Sequence, residues 1–215
     1  MEDGTRIGEA GLRRGMATLG VADGIAPALL DYRDLLARWN RVYNLSAVRD
    51  PAEMVSRHLL DSLSVLPWLP PGALLDVGTG PGLPGIPIAL AQPDRPITLL
   101  ESNGKKVRFL RQACLELGLD NVAIAPVRLQ AHSPTGRFEG VICRAFTDAA
   151  GFWHGVARLL APRGKALAMK GRRQSEELAG LEQAGVLCRW EPLAVPGLDA
   201  ERHLLIMQGE TPVTG

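Results

Sequence analysis

The residues whose types and spacing are best suited to bind a ligand lie in a glycine-dense segment. The apolar run Leu74–Val77 leads directly into residues 78–85, which contain four glycines, namely Gly78, Gly80, Gly82 and Gly85. Glycine adopts backbone dihedral angles that a Cβ atom forbids, and it lets a ligand approach the backbone closely. The segment therefore predicts a ligand-binding turn that joins a strand to a helix.

Two classes of ligand suit this turn. Gly80, Gly82 and Gly85 have the G-x-G-x-x-G spacing of dinucleotide sites, in which a helix N-terminus binds a pyrophosphate. Asp76, two residues before the first glycine, favours S-adenosylmethionine instead. A carboxylate that faces the ligand at a strand end attracts an ammonium and a sulfonium group, whereas it repels a pyrophosphate. We interpret the turn as an S-adenosylmethionine site; the alternative is a tight turn that binds nothing.

A second acid, Glu101, ends the next predicted strand along the chain. An acid at this position can accept hydrogen bonds from both ribose hydroxyls, in NAD sites and in S-adenosylmethionine sites alike. Glu101 therefore indicates an adenosyl ligand without choosing between the two cofactors.

The elements that must position these residues alternate between short apolar runs and amphipathic segments. This alternation is typical of strands joined by crossover helices into a parallel sheet. The clearest helix is Lys105–Leu117, and the final two strands have no helix between them, which predicts an antiparallel hairpin. We therefore expect an α/β, Rossmann-like methyltransferase fold with a mostly parallel, seven-stranded sheet. The predicted strands are Ala73–Val77, Ile97–Glu101, Val122–Pro126, Gly140–Arg144, Lys165–Met169, Val186–Val195 and His203–Gln208.

The residues before this pattern read as helical. Pro27–Tyr43 has apolar residues at helical spacing, and Asp50 with Pro51 forms an N-cap signal for a further helix. A short helix is possible at Gly8–Leu19, within a stretch (1–20) that we expect to be mobile. Prolines at 67, 70 and 71 end the helical pattern. We therefore divide the chain into an N-terminal helical cap, 1–70, and a methyltransferase core, 71–215.

Composition and charge limit the kinds of surface and the cellular compartment that fit this chain. A net charge of +1 over 215 residues argues against a surface that is basic throughout, although a local basic patch fits that total. The three cysteines have no metal-ligand spacing and suit a reducing compartment. No apolar run is long enough to cross a membrane. We expect a cytoplasmic monomer without a metal site.

Several separated blocks carry a resemblance to one family. The chain resembles, from about Leu30 to Met207, the RsmG/GidB family of bacterial small-subunit (16S) ribosomal RNA guanine-N7 methyltransferases. The most specific blocks are the glycine-rich turn with RHLLDS upstream and RAF downstream. The blocks are Trp39-Asn40 with Tyr43-Asn44-Leu45, Arg57 to Ser62, Asp76 to Pro87, Lys105 to Arg111, Arg144-Ala145-Phe146, Lys170-Gly171 and Glu201-Arg202-His203.

The resemblance implies methyl transfer from S-adenosylmethionine, which becomes S-adenosylhomocysteine, to N7 of one guanine in small-subunit ribosomal RNA. The substrate is either the RNA itself or the RNA within a ribosomal particle. It places cofactor contacts on Gly78, Leu83, Leu129, Gln130 and Arg144. Gln130 departs from the family, whose members often have an acid there. The first predicted strand and its turn add Asp76, Gly80 and Gly82 to this set, and the end of the second predicted strand adds Glu101.

Guanine N7 has a free lone pair and no proton, so its methylation needs alignment and desolvation rather than a general base. We accordingly assign no catalytic residue. Candidate contacts to RNA are Lys170, Arg172, Arg173, Arg202, Lys105, Lys106, Arg57 and His58. For the basic clusters the alternative is a solvated face, and for Arg57 and His58 it is a packed polar network with Asp61. Trp39 and Tyr43 share the apolar helix stripe, so we interpret them as core residues rather than base-stacking platforms.

The sequence leaves three other functions open. A methyltransferase that acts on a small molecule would turn over without RNA. An NAD(P)-binding oxidoreductase would bind a dinucleotide and no S-adenosylmethionine. A methyltransferase fold that serves only as an RNA-binding module would bind RNA without transferring a methyl group.

Overall fold

The chain forms a seven-stranded sheet in the order β3-β2-β1-β4-β5-β7-β6. The structure, a computed structural model, describes residues 4–144, 148–173 and 178–209. Strands β1 to β5 are parallel, whereas β7 is antiparallel to both β5 and β6. This confirms the predicted fold class, including the C-terminal hairpin. The strands are β1 (Leu74–Val77), β2 (Ile97–Leu100), β3 (Val122–Ala125), β4 (Phe138–Arg144), β5 (Leu160–Lys170), β6 (Val186–Pro192) and β7 (His203–Gly209).

Helices cover both faces of the sheet. Successive residues of a strand point to opposite faces of the sheet. In β1, Leu74 belongs to one hydrophobic cluster and Leu75 to the other. A strand buried on both faces is continuously apolar, which explains the short apolar runs of the sequence. The helices are α1 (Gly4–Thr18), α2 (Ala26–Tyr43), α3 (Pro51–Met54), α4 (Asp61–Leu63), α5 (Gly85–Ala91), α6 (Gly104–Leu117), α7 (Ala149–Val156) and α8 (Ala179–Gln183). Within the described ranges, no helix is both long enough and apolar enough to cross a membrane.

The N-terminal helices pack on the same face as α5 and α6. Helix α1 begins earlier than the sequence suggested, and its Leu12 and Met16 are fully buried. These side chains and Leu74 of β1 belong to one hydrophobic cluster. The Tyr32 hydroxyl of α2 donates to the Pro81 carbonyl oxygen, 2.8 Å away, which ties the helices to the glycine-rich turn. The division of the chain near residue 70 stays a prediction.

A π-helical segment, Val55–Leu60, joins α3 to α4. The helix starts as predicted, because the Asp50 side chain accepts a hydrogen bond from the Ala52 amide at 2.9 Å. Turns of π-helix occur frequently at functional sites. Here the segment and its continuation place His58 and Asp61 next to the carboxyl end of β4. Ala145 and Phe146, which belong to one block of the family resemblance, lie outside the described residues.

Candidate functional site

The glycine-rich turn has open space above its first residues. Gly78 and Gly80 have positive φ angles of 64° and 63°, which side chains rarely adopt. A Cβ atom on Gly78 would meet no heavy atom within 4 Å. The backbone is therefore exposed to an approaching ligand at the carboxyl end of β1, where open α/β sheets bind their ligands.

Asp76 lies beneath this turn rather than at its surface. Its Oδ2 atom accepts hydrogen bonds from the Thr79 hydroxyl at 2.5 Å and from the Gly85 amide at 2.8 Å. Burial raises the pKa of Asp76 to about 6, although these two hydrogen bonds act in the opposite direction. This corrects the expectation that the carboxylate faces a ligand. Asp76 instead holds the two ends of the turn together.

The other oxygen of Asp76 is a buried acceptor that the protein leaves unsatisfied. Oδ1 has no hydrogen-bond partner among the described residues. A buried acceptor without a partner is costly. Because Asp76 is fully buried, a ligand would not contact Oδ1 directly. A cationic group close to the turn would still stabilise the carboxylate electrostatically, which fits the ammonium and sulfonium groups of S-adenosylmethionine.

Glu101 follows β2 and faces the same turn. Its Oε2 atom accepts a hydrogen bond from the Gly80 amide at 3.0 Å, and its Oε1 atom accepts one from the Asn103 amide at 2.8 Å. Lys106 Nζ lies 3.9 Å from Oε2. The acid therefore stands between the turn and the start of α6.

The remaining cofactor candidates differ in accessibility. Leu129 and exposed Gln130 form a 3-10 turn after β3, and Arg158 Nη2 donates to the Leu129 carbonyl oxygen at 2.9 Å. Leu83 is 2% exposed and belongs to the hydrophobic core, so its side chain is not available to a ligand and only its backbone can contribute. At Gly82 a Cβ atom would overlap the Ile86 side chain. Gly82 therefore serves packing inside the turn.

Two arginines converge on one buried acid beside the turn. Asp61, 2% exposed, accepts hydrogen bonds from Arg202 Nε at 3.1 Å and Arg144 Nη1 at 3.4 Å. Burial raises the pKa of Asp61, and the two guanidinium groups partly oppose that shift. Arg144 also donates to the Arg57 carbonyl oxygen at 3.3 Å. The predicted polar network thus exists, and it includes two arginines that the sequence did not connect to Asp61.

His58 is a neutral member of this network. Its Nδ1 lies 2.9 Å from the Arg57 carbonyl oxygen and its Nε2 lies 2.8 Å from Ser46 Oγ. A carbonyl can only accept, so Nδ1 carries the proton and Nε2 accepts from the hydroxyl. Burial, reinforced by Arg144, lowers the pKa of His58 to about 4. His58 therefore supplies no positive charge to RNA at neutral pH, whereas the Arg57 side chain is exposed and lies 3.5 Å from Glu53.

A cavity of about 360 Å³, which we term the acceptor cavity, opens at the carboxyl ends of β4 and β5. Arg144 follows Cys143, which pairs with Val77 of β1, so the cavity adjoins Gly78. Arg172 and Arg173 are exposed just beyond β5. The cavity thus brings one basic cluster close to the turn. It is lined by Val48, Arg57, His58, Asp61, Arg144, Met169, Lys170, Gly171 and Arg202.

The second basic cluster lies elsewhere, between the end of α2 and the start of α6. There Lys105 and Lys106 line a separate cavity of about 500 Å³ together with Tyr43. Tyr43 is 37% exposed, so the interpretation of this residue as a core residue is wrong. Trp39 is partly buried and packs against the core as expected.

Solved methyltransferase structures share this architecture. A glycopeptide N-methyltransferase in complex with S-adenosylmethionine superposes with a TM-score of 0.59 at 15% identity, covering 71% of this chain and 93% of that one. Magnesium protoporphyrin IX methyltransferase from Synechocystis, with S-adenosylmethionine bound, gives 0.59 at 20% identity, covering 83% and 95%. The fold is that of the Rossmann-like methyltransferases.

Sequence comparison specifies the family. The family model described as rRNA small subunit methyltransferase G matches residues 25–205. Proteins named ribosomal RNA small subunit methyltransferase G are 49% identical in Stenotrophomonas maltophilia, over 93% of this chain and 94% of that protein, and 52% identical in Alkalilimnicola ehrlichii, over 90% and 89%. The chain belongs to the rRNA small-subunit methyltransferase G family, which confirms the resemblance inferred from the sequence.

Proposed function

We propose that this protein transfers a methyl group from S-adenosylmethionine to N7 of a specific guanine in small-subunit (16S) ribosomal RNA. One structural observation supports this proposal in addition to family membership. The acceptor cavity, with Arg144, Lys170 and Arg202 on its wall, adjoins the open glycine-rich turn. A methyl acceptor and a cofactor placed in these two neighbouring spaces would meet at the carboxyl edge of the sheet.

Different residues around the turn would contact different parts of the cofactor. Gly78 is exposed and has open space above it, the Gly80 amide holds Glu101 in place, and Glu101 suits the ribose hydroxyls. Arg144 suits the cofactor carboxylate, and Gln130 with the Leu129 backbone suits the adenine. Asp76 contributes by holding the turn, and Gly82 and Leu83 contribute by packing it. When bound, S-adenosylmethionine supplies an electrophilic methyl group on a sulfonium.

Base catalysis is not required of this site. Both ring nitrogens of His58 are hydrogen-bonded, and Asp61 accepts from two arginines. Both groups therefore orient other residues. Guanine N7 carries no proton, so the acceptor cavity has only to align the base and exclude water. A guanine must leave its stack, or lie in an open loop, to enter such a cavity.

The basic residues at the cavity rim suit RNA phosphates. Lys170 ends β5 and Arg202 precedes β7, and both line the cavity. Arg172 and Arg173 are exposed just beyond β5. Methylated N7 is positively charged, so a cation directly at that atom would oppose the product. The carboxylate of Asp61 offsets part of the charge of Arg144 and Arg202 next to the base.

We further propose that the enzyme acts in the cytoplasm as a monomer, on RNA within a ribosomal particle.

The test is incubation of the protein with tritiated S-adenosylmethionine and small-subunit ribosomal RNA that lacks N7 methylation. Chemical cleavage at N7-methylated guanines then maps the label. A single labelled guanine is the expected result. Tight cofactor binding without transfer to naked RNA or to ribosomal particles would indicate a different acceptor. A dinucleotide that binds where S-adenosylmethionine does not would indicate an oxidoreductase.

A further inference from the structure

The cavity between α2 and α6 lies outside the acceptor cavity, and we term it the stacking groove. Its volume is about 500 Å³, within the range of small-ligand sites. No acidic residue is among its lining residues. They are Tyr43, Asn44, Leu45, Asn103, Gly104, Lys105, Lys106 and Arg108.

The aromatic ring in the groove is supported from behind. The Tyr43 ring centroid lies 5.3 Å from that of Trp39, and Trp39 contacts Phe109 edge to face at 5.6 Å. Phe109 is fully buried, so these contacts connect Tyr43 to the core. A half-exposed aromatic ring held in this way loses little conformational entropy when a flat partner stacks on it.

Positive charge surrounds this ring. Lys105 and Arg108 are exposed on the first turns of α6, and Lys106 is directed toward Glu101, 3.9 Å away. The Asn103 side chain already accepts hydrogen bonds from the Lys105 and Lys106 amides. The groove therefore attracts an anion through side-chain cations rather than through free helix amides.

A fixed segment separates the groove from the acceptor cavity. Leu45 lines the groove and Val48 lines the acceptor cavity. Buried Asn40 holds the segment between them, since its Nδ2 donates to the Val48 carbonyl oxygen at 3.0 Å and its Oδ1 accepts from the Ser46 amide at 2.8 Å. Three residues span at most about 11 Å, so both cavities are within reach of one strand of RNA.

We propose that the stacking groove binds an unpaired nucleotide of the RNA substrate that flanks the target guanine. The base stacks on Tyr43, while Lys105 and Arg108 contact the adjoining phosphates. Aromatic platforms beside cationic side chains are the usual means of holding single-stranded RNA, because every base has a face that can stack. This assignment rests on the proposed RNA substrate, and it identifies where that RNA is held besides the acceptor cavity.

The first experiment replaces Tyr43 in the full chain. Tyr43→Ala should weaken binding to unmodified small-subunit ribosomal RNA, and raise the KM for RNA, by about 5- to 100-fold, as expected for loss of one base–aromatic stack. Tyr43→Phe keeps the ring and should stay within about two-fold of the wild type, since stacking does not need the hydroxyl. S-adenosylmethionine affinity should be unchanged in both variants.

The second experiment neutralises the two exposed cations of the stacking groove. Lys105→Gln with Arg108→Gln should lower the slope of log affinity for RNA against log salt concentration by about 0.7 for each phosphate that the variant no longer binds. The control is Arg163→Gln, an exposed cation near the amino end of β5, which should leave the slope unchanged.

Three results would overturn the assignment. The first is that Tyr43→Ala binds RNA as tightly as the wild type does. The second is that Tyr43→Ala loses S-adenosylmethionine affinity by the same factor as RNA affinity, which would make the groove part of the cofactor site. The defect could also appear only with assembled particles and not with naked RNA, which would indicate a ribosomal protein as the partner. Failure of the proposed function would differ, because the wild-type enzyme itself would then transfer no methyl group to RNA.

Discussion

Asp61 and Arg202 are 141 positions apart in the chain, yet Arg202 Nε donates to Asp61 Oδ1 at 3.1 Å. The other carboxylate oxygen of Asp61 receives Arg144. One acid on the helical segment therefore holds an arginine from the end of β4 and an arginine from the start of β7. This side chain therefore holds both guanidinium groups in the acceptor cavity, and the Arg57 carbonyl oxygen also accepts from Arg144.

Asp61→Asn should release at least one of the two arginines, because an amide can accept at only one of its two terminal atoms. We expect an approximately ten-fold rise in the KM for RNA and a loss of stability on the order of 2 kcal/mol, below the cost of a fully buried pair because the arginines are partly exposed. Enzyme kinetics and urea unfolding measure these effects. Glu53→Gln, which breaks the exposed Glu53–Arg57 pair, is the control and should change stability by less than about 0.5 kcal/mol.

Gly78→Ala should abolish binding of S-adenosylmethionine, because the new methyl group would project into the open space above the turn. Positive φ makes the substitution cost about 1–2 kcal/mol of stability. Gly118→Ala is a matched control, since Gly118 ends α6 with φ of 61° and also has open space around its Cβ position. The two variants should lose similar stability, whereas calorimetric titration should show loss of S-adenosylmethionine binding in Gly78→Ala only. Equal affinities for S-adenosylmethionine would remove Gly78 from the cofactor site.

Asp76→Ala removes both hydrogen bonds that hold the turn. We expect loss of S-adenosylmethionine binding together with about 1–3 kcal/mol of destabilisation, as for a buried donor left without its acceptor. Asp76→Asn retains one acceptor oxygen and should bind the cofactor more tightly than the alanine variant does. Retention of wild-type affinity by Asp76→Ala would show that the turn needs no such support.

The same aspartate should leave a signature in the pH dependence of stability. Its pKa of about 6 in the folded protein exceeds the 3.8 of the ordinary carboxyl, so the folded state binds the proton more tightly. The contribution of Asp76 to stability is therefore complete below about pH 4 and is lost as the pH rises to about 6. Asp76→Asn cannot ionise, so its unfolding free energy should improve relative to wild type by up to about 1.4 kcal/mol per pH unit in that window. A difference that stays constant between pH 4 and 7 would contradict the raised pKa.

Lys170→Ala with Arg172→Ala should weaken RNA binding and flatten its dependence on salt, because released counterions set that dependence. The S-adenosylmethionine affinity should remain that of the wild type. Filter binding across a salt series measures the slope, and Arg163→Ala, which removes an exposed cation near the amino end of β5, serves as the control. An unchanged slope would place the RNA phosphates elsewhere on the protein.

Sequence reasoning succeeded where a residue's role depends on its neighbours in the chain. The strands β1, β2 and β4 were predicted because strands that are largely buried on both faces leave short apolar runs. The turn from Gly78 to Gly85 was predicted because positive φ angles select glycine. The start of α3 followed from the N-cap at Asp50, which the structure confirms.

The same reasoning failed where burial direction matters. Asp76 was expected to face a ligand, yet its side chain is fully buried. Tyr43 was expected in the core, yet the end of α2 leaves its ring partly exposed. Local spacing defines the face of a helix or strand, but the neighbours that cover that face come from distant parts of the chain.

The sequence by itself thus determined the fold class, the family and the glycine-rich turn, because each depends on patterns within short segments or on similarity along the chain. Only the tertiary structure decided that Asp61 joins Arg144 and Arg202, that His58 is neutral, and that the two basic clusters line two separate cavities. Hydrogen bonds and burial depend on distances between atoms, and residues 83 or 141 positions apart come within hydrogen-bond distance only when the sheet and the helical segment have packed together.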